Sequence, residues 1–254
     1  MEALAYTVPV AAASLQTDLD RVRRRIADAA RCAGRDPAAV ELLAVTKAVG
    51  APMALALCRL GQLDLGENRL EGLAEKARYL AQAGVRPRWH FIGHLQRNKA
   101  RRVVALADVI HSVDSLRLLE TIARVAADQG RRPAIYLELR SSEAEGRHGF
   151  AAAELAEAAL RAGALEHVDL LGLMNIAPLP TSGDGGDAAR ESFEALAELA
   201  AGLEAEPPTA ACFPNGRVRL SMGMSADLEL AVAAGSHLVR VGSALFEGSE
   251  EVAR

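Results

Sequence analysis

A lysine at the end of an apolar run is the residue whose position most directly suggests chemistry. Lys47 closes the stretch at residues 42–46, which has the character of a buried strand. A strand that ends on an amine places that amine at the rim of the core, where partial desolvation lowers its pKa toward the nucleophilic form. Such an amine can form a Schiff base with an aldehyde. A lysine at a strand end is more often simply solvated, so the rest of the chain must decide between the two interpretations.

Two turns rich in glycine and serine near the end of the chain have the composition of an anion-binding site. One spans residues 221–225, and the other includes Gly242 and Ser243. Backbone N–H groups left free at the start of a helix bind oxyanions such as phosphate. A phosphate site opposite a nucleophilic lysine would suit a phosphorylated aldehyde as ligand. Pyridoxal 5′-phosphate (PLP) is the first candidate. Arg240 either faces the pyridine nitrogen, where PLP sites use an Asp or an Arg, or makes a salt bridge on the outer face of its strand.

Strand-like and helix-like segments alternate along the chain, which predicts a parallel sheet covered by helices. The eight predicted strands are residues 41–47, 63–68, 89–93, 109–114, 134–139, 169–176, 217–223 and 237–246. The predicted helices are residues 13–32, 52–60, 70–83, 96–106, 115–127, 152–162, 188–203 and 225–233. Eight such units fit a closed (β/α)8 barrel of the TIM type, and 254 residues match one such domain over residues 1–254. Few residues follow Phe246, so the helix at 13–32 is expected to cover the position of an eighth helix.

The ends of the predicted strands favour this barrel over an open sheet. Functional groups of such barrels lie at the carboxyl ends of the strands, and phosphate is commonly bound after strands 7 and 8. The predicted strand ends carry Lys47, Asn68 and Asn175, and the two glycine-rich turns follow the last two strands. An open, doubly wound sheet is the alternative, but the glycine-rich dinucleotide-binding turn expected after its first strand is absent.

Composition and spacing exclude several other classes of function. The net charge of −4 provides no basic face for nucleic acid, and no apolar run is long enough to span a bilayer. The three cysteines lack the spacing of a zinc site or a disulfide framework, which indicates a reducing, cytoplasmic compartment. No metal site is predicted, because His90 and His94 would lie about 13 Å apart along a strand.

Motifs across nearly the whole chain resemble those of the YggS/PROSC-type PLP homeostasis proteins, which are single-domain relatives of the alanine racemase N-terminal barrel (PLP fold type III). The motifs are LAVTK at residues 43–47, GEN at 66–68, WHFIGHLQRNK at 89–99, HSVD at 111–114, GLM at 172–174, LSMGMSAD at 220–227 and VRVGSALF at 239–246. The resemblance implies an α/β fold with an alanine racemase-like barrel and an extra N-terminal helix.

The resemblance also implies a role for each matching residue. Lys47 would carry PLP as a Schiff base, and Arg240 would face the ring nitrogen. The implied phosphate ligands and pocket-lining residues are Ser221, Gly242 and Ser243, and Asn68, His90 and Met222. The implied function is intracellular PLP (vitamin B6) homeostasis, in which the protein binds a reactive aldehyde, buffers it and passes it to apo PLP enzymes.

The sequence departs from the family pattern at a few places. Ser243 stands where Thr is usual, which retains a hydroxyl for phosphate. Residues 140–142 replace an Asn-containing turn, and His148 stands where Lys is usual, which alters any partner surface at residues 140–150. The Asp- and Gly-rich insert at 181–187 is particular to this chain. The protein is expected to be a monomer.

The residues predict a carrier of PLP and not an efficient racemase. A charged Arg240 beside the ring nitrogen disfavours protonation of the pyridine, which makes the ring a weaker electron sink. No second domain is expected to supply another base, so no catalytic residue is assigned. Two alternatives stay open: a slow PLP-dependent amino-acid racemase or related PLP enzyme, and a colourless sugar-phosphate barrel enzyme that uses Lys47 as its Schiff-base lysine.

Overall fold

The computed structural model describes residues 3–140, 148–178 and 186–248, with the side chains of residues 3–12 outside the description. Its strands are β1 (Glu41–Val45), β2 (Asp64–Glu67), β3 (Arg88–Phe91), β4 (Val109–Val113), β5 (Ala134–Glu138), β6 (Asp169–Met174), β7 (Arg219–Met224) and β8 (Leu238–Val241). Its α-helices are α1 (Ala3–Cys32), α2 (Ala51–Arg59), α3 (Leu70–Gln82), α4 (Ala100–Leu106), α5 (Leu116–Gln129), α6 (Leu155–Gly163), α7 (Asp187–Ala205), α8 (Pro207–Ala210) and α9 (Leu228–Ala233). The predicted alternation of strands and helices is confirmed.

The strands close into one parallel barrel in sequence order. Closure is made by β1 and β8, which pair with Leu43 opposite Arg240 and Ala44 opposite Val241. Parallel strands place all their carboxyl ends at one rim, so the residues that follow β1 and β8 are neighbours there. The (β/α)8 prediction is therefore confirmed, and the open-sheet alternative is wrong.

Helix α1 covers the gap in the helical layer after β8, as predicted. Its apolar stripe is buried: Leu15, Leu19, Val22 and Ile26. The helix packs against α9 and against the short 3₁₀ turn after β8. Two arginines of α1 bind backbone carbonyls of the predicted phosphate turns, Arg21 at Ala244 (2.9 Å) and Arg25 at Ser225 (3.1 Å). The N-terminal helix therefore fixes the backbone of both turns.

Several elements differ from their predicted limits at the rim. β1 ends at Val45, so Lys47 lies in the turn that follows. β8 ends at Val241, because Gly242 leaves the strand conformation (φ −121°, ψ −76°) and a 3₁₀ turn begins at Ser243. Helix α9 begins at Leu228 and not at residue 225, and the segment between the predicted helix at 188–203 and the next strand contains α8. The Asp- and Gly-rich insert at 181–187 lies mostly outside the described residues.

Glycine is required at two positions that shape the rim. After β3, a side chain at Gly93 would overlap the backbone carbonyl of Asn68. In β7, Gly223 has φ +91°, which strains any residue with a Cβ atom, and a side chain there would also collide with Ala231. The pairing of β7 with β8 shifts register at this glycine, between Ser221 and Met224. The shift decides which serine of this segment reaches the rim.

Within the described part of the chain, no helix combines the length and the apolar character needed to cross a membrane.

Candidate functional site

Lys47 lies two residues after β1 at the carboxyl rim of the barrel, and its side chain is exposed. Among the described residues, none forms a hydrogen bond or an ion pair with it. The expectation that the protein itself desolvates this amine is wrong here, because the strand ends before the lysine and the side chain leaves the core. The amine is instead unpaired and accessible to a ligand.

A buried ion pair holds the backbone directly before Lys47. Lys76 Nζ lies 2.6 Å from Glu67 Oε1, and the two side chains are only 6% and 2% exposed. Lys76 also donates to the backbone carbonyl of Thr46 at 2.8 Å, and the Thr46 hydroxyl donates to the same Glu67 oxygen at 2.6 Å. Sequence reasoning missed this arrangement. The turn that carries the exposed amine is thus anchored on buried, charge-assisted hydrogen bonds.

The turn after β8 directs backbone amides toward one oxygen atom. The N–H groups of Gly242 and Ala244 donate to Ser225 Oγ at 3.4 and 3.5 Å. The same turn lies against the end of β1, since a Cβ atom on Gly242 would be 3.3 Å from the carbonyl oxygen of Val45. Amides that converge on a neutral hydroxyl oxygen also suit a charged oxygen, which is the stronger acceptor. Ser225, which sequence reasoning did not assign, is therefore the hydroxyl beside the predicted phosphate turn.

Ser221 does not have the accessible hydroxyl that its predicted phosphate role requires. Its side chain is fully buried, and its Oγ lies 2.9 Å from His111 Nδ1 and 2.8 Å from Arg240 Nη1. The register shift at Gly223 leaves this serine inside the barrel and brings Ser225 to the rim. The hydroxyl of Ser221 helps to orient Arg240, and its role as a phosphate ligand stays a prediction.

Arg240 is buried, with 5% of its surface exposed. Its Nη1 donates to both the carbonyl and the hydroxyl oxygens of Ser221, and its Nη2 donates to the carbonyl of Asn175 at 2.7 Å. The alternative of a salt bridge on the outer face of β8 is therefore wrong. Burial lowers the pKa of Arg240 to about 10, while Asp227 and Glu138 oppose that shift, so the guanidinium stays charged at neutral pH.

Arg240 and the neighbouring Asn175 both have polar atoms without a hydrogen-bond partner among the described residues. A guanidinium has five N–H groups, of which three are used in the contacts with Ser221 and Asn175. The side-chain oxygen of Asn175 is buried without a hydrogen-bond partner among the described residues. Its amide nitrogen is held by the backbone and hydroxyl oxygens of Ser192, which fixes the orientation of the amide.

His90 belongs to a chain of buried polar groups that runs down the inside of the barrel. His90 Nε2 lies 3.0 Å from Asp64 Oδ1, and His90 Nδ1 lies 2.9 Å from His111 Nε2. Burial lowers the pKa of both histidines, and the nearby charge of Arg240 contributes to the shift at His111. The Asp64 carboxylate can only accept a hydrogen bond, so a neutral His90 donates to it from Nε2 and accepts at Nδ1. His111 then donates to His90 and accepts from the Ser221 hydroxyl.

The other two predicted pocket residues occupy different environments. Met222 has no exposed surface and packs in the main hydrophobic core, so its side chain does not line the rim. Asn68 follows β2 at the rim and is half-buried. His90 is buried with its hydrogen bonds directed to Asp64 and His111, so it also lies below the rim. Of these three residues, only Asn68 is partly exposed at the rim, and the pocket roles of all three stay predictions.

These features define a class of protein: a (β/α)8 barrel with an exposed lysine after β1, a buried arginine in β8 and a turn after β8 whose amides converge on one hydroxyl oxygen. The family described as "Alanine racemase, N-terminal domain" matches residues 17–250. The chain therefore belongs to the alanine racemase N-terminal domain family.

The chain is similar to curated proteins named pyridoxal phosphate homeostasis protein. It is 37% identical to the protein of Escherichia coli K12 over 239 residues, which cover 90% of this chain and 94% of that protein. It is 35% identical to the Pseudomonas aeruginosa protein, with 92% and 95% of the two chains covered.

The chain is also similar to solved structures. PipY of Synechococcus elongatus PCC7942, determined with PLP bound, superimposes with a TM-score of 0.76 at 33% identity and covers 91% of this chain and 99% of PipY. Its structure without PLP gives a TM-score of 0.79. Alanine racemase from Streptomyces lavendulae shares the fold at 20% identity and a TM-score of 0.67, with 57% of that chain covered.

Proposed function

We propose that this chain is an intracellular PLP-binding protein of vitamin B6 homeostasis, which holds the cofactor covalently through Lys47. The observation that supports the proposal is the placement of the exposed Lys47 amine and the amides of Gly242 and Ala244 after the neighbouring strands β1 and β8, with the guanidinium of Arg240 buried in β8. The names of the relatives and the PLP bound to PipY support the choice of ligand.

The residues present fit the chemistry of the cofactor. Its aldehyde needs an accessible amine, and Lys47 is exposed and unpaired among the described residues. Its phosphate needs convergent donors, which the turn at Gly242 to Ala244 provides together with Ser225. Its pyridine nitrogen needs a polar partner, and Arg240 has two N–H groups that its contacts with Ser221 and Asn175 do not use.

Each element of the site then has a binding task. The bound cofactor supplies a reactive aldehyde and an electron-withdrawing ring. The Lys76–Glu67 pair fixes the turn that presents the Lys47 amine. Arginines of α1 fix the backbone of the phosphate turns from outside the barrel. The Ser221 hydroxyl and the Asn175 carbonyl hold the Arg240 guanidinium, whose positive charge disfavours a proton on the ring nitrogen.

We further propose that the protein does not turn over amino acids efficiently. The relatives carry the name of homeostasis proteins and not of enzymes, and a ring nitrogen that stays unprotonated makes a weak electron sink. Purified holoprotein should racemise L- or D-alanine no faster than free PLP does. A fast rate that disappears in Lys47→Ala would establish the racemase alternative in its place.

The remaining parts of the proposal concern the setting. We propose that the protein is a cytoplasmic monomer that releases PLP to apo PLP enzymes. Size-exclusion chromatography with light scattering measures the mass against the 26.8 kDa of one chain. Transfer is measured as recovery of activity by an apo PLP enzyme that is mixed with the holoprotein.

A visible absorption titration tests the binding proposal. After incubation with PLP and removal of the unbound cofactor by gel filtration, wild-type protein should stay yellow, with one equivalent bound. Lys47→Ala should lose this absorption, whereas Lys99→Ala, which changes another exposed lysine, should retain it. An unchanged spectrum in Lys47→Ala, or a colourless wild type, would refute the assignment.

A further inference from the structure

Three side chains of metal-binding type meet at the rim, across the barrel from the turns after β7 and β8. His94 follows β3, Asp114 follows β4, and His148 follows β5. His94 Nδ1 is 3.3 Å from Asp114 Oδ2, and His148 Nδ1 is 3.7 Å from the same oxygen. One ligand atom from each residue falls within 4.8 Å of the others. The proposed PLP site uses none of them.

These spacings suit a small divalent ion. Zinc binds histidine nitrogen and carboxylate oxygen at about 2.0–2.2 Å with tetrahedral geometry, which places neighbouring ligand atoms roughly 3.3–3.5 Å apart. The imidazole rings of His94 and His148 are stacked, with centroids 3.6 Å apart and planes inclined by 13°. Their lone pairs therefore run side by side, and one ring must turn to aim both at an ion. Both side chains are exposed, at 41% and 52%, and the terminal torsion of histidine is broad.

Asp114 already has the orientation that a metal ligand needs. Its side chain is only 11% exposed, and the Ser115 hydroxyl donates to its Oδ1 at 3.0 Å. That bond leaves Oδ2 directed at both imidazoles. A hydrogen bond from a neighbouring residue that fixes a ligating carboxylate is a common feature of metal sites.

We propose that His94, Asp114 and His148 form a binding site for a divalent transition-metal ion such as Zn²⁺, with the remaining coordination position open to water. Two imidazoles and one carboxylate favour zinc, nickel or copper over magnesium and calcium, which prefer all-oxygen sites. The proposal goes beyond the proposed function and reverses the sequence prediction that the chain has no metal site. That prediction considered His90 with His94 on one strand, whereas the partners of His94 come from two other strands.

Isothermal titration calorimetry of the full chain with Zn²⁺, after treatment with a chelator, tests the site. Wild-type protein should bind one equivalent, and Mg²⁺ should give no heat of binding. His94→Ala and His148→Ala should each weaken Zn²⁺ binding by at least about tenfold, since even outer contacts of metal sites are worth 10–100-fold. His167→Ala, which changes an exposed histidine elsewhere, should leave it unchanged. Both site histidines are exposed, so circular dichroism should show intact folds.

Cobalt and Lys47→Ala complete the design. Co²⁺ should give the visible d–d absorption of a protein-bound ion in wild type and not in His148→Ala. Lys47→Ala should keep Zn²⁺ affinity, because the metal site does not depend on the proposed PLP site. Absence of stoichiometric binding, or full affinity in either histidine variant, overturns the proposal. Loss of binding in Lys47→Ala alone also overturns it, because it would assign the metal to the cofactor.

Discussion

Replacing Lys76 by methionine tests whether the buried ion pair positions the turn of Lys47. The variant keeps a side chain of similar length and leaves the Glu67 carboxylate, 2% exposed, without its cation. Removing one partner of a buried pair costs about 3–5 kcal/mol. Each kcal/mol lowers Tm by roughly 2–4 °C in a domain of this size, so we expect a fall of about 6–20 °C. Loss of the bond to the Thr46 carbonyl should also weaken PLP binding.

A double variant separates stability from positioning. Lys76→Met with Glu67→Met replaces both charges by apolar side chains of similar size, and such replacements are often close to neutral, so most of the stability should return. The bond from Lys76 to the Thr46 carbonyl stays absent, so PLP affinity should remain reduced. Urea unfolding followed by circular dichroism measures the first quantity, and PLP absorption titration measures the second. Lys99→Met serves as the exposed control.

Two results would refute this reasoning. One is a stability loss in Lys76→Met no larger than that of an ordinary surface substitution, about 0.5 kcal/mol. The other is a double variant that binds PLP as tightly as wild type, which would mean that the contact with Thr46 does not position the turn.

Three further measurements probe other groups. Ser225→Ala should weaken the binding of PLP but not of pyridoxal, which has no phosphate. Ser221→Ala should change both affinities equally, because the Ser221 hydroxyl is buried in the barrel. Burial, helped by the charge of Asp114, raises the pKa of Glu138 from 4.5 to about 7. The folded state then holds a proton that the unfolded chain releases, so in buffer with a chelator the stability of wild type relative to Glu138→Gln should fall from about pH 4.5 to pH 7 and stay level above. Burial also raises the pKa of the Cys58 thiol to about 11, so iodoacetamide should modify exposed Cys32 and spare Cys58 until the protein unfolds.

Each of these expectations has an opposing result. Equal losses of PLP and pyridoxal affinity in Ser225→Ala would argue against a phosphate contact. A wild-type stability that does not fall relative to that of Glu138→Gln between pH 4.5 and 7 would contradict the raised pKa. Rapid modification of Cys58 in the native protein would show that the thiol is not protected.

The barrel was predictable because its signals are local and repeated. Each strand is a short apolar run between turn residues, and α1 carries a stripe of buried residues at helical spacing. Lys47, Arg240 and Gly242 were placed at or near the ends of strands by the same logic, and their roles in binding a cofactor stay predictions. β1 and β8 were predicted to run too far at their carboxyl ends. The residues that leave the sheet, such as Gly242, have strand-like neighbours in the sequence.

The choice between Ser221 and Ser225 depends on geometry that the sequence does not contain. The two serines lie four residues apart in one segment, and a regular strand would place both on the same face. The positive φ of Gly223 and the register shift beside it break that equivalence. A glycine between two serines is a signal for such a shift, but it does not say which serine faces the ligand.

Buried charge is equally difficult to predict. Lys76 lies on α3 between the buried positions Leu73 and Leu80, which is a signal that it shares their face. A lysine there is normally solvated, and only the approach of Glu67 from β2 explains its burial. The cluster of His94, Asp114 and His148 was not predicted, because its members follow three different strands and only the folded barrel brings them together.

Covalent mapping of the bound cofactor tests most directly the claim that Lys47 holds PLP. The chain contains three lysines, Lys47, Lys76 and Lys99. After incubation with one equivalent of PLP, borohydride reduction and proteolysis, mass spectrometry should find the pyridoxyl group on Lys47. Lys99 is exposed and reports non-specific labelling, and Lys76 is buried and paired. A pyridoxyl group on Lys76, or as much on Lys99 as on Lys47, would show that the assignment of the cofactor-binding lysine is wrong.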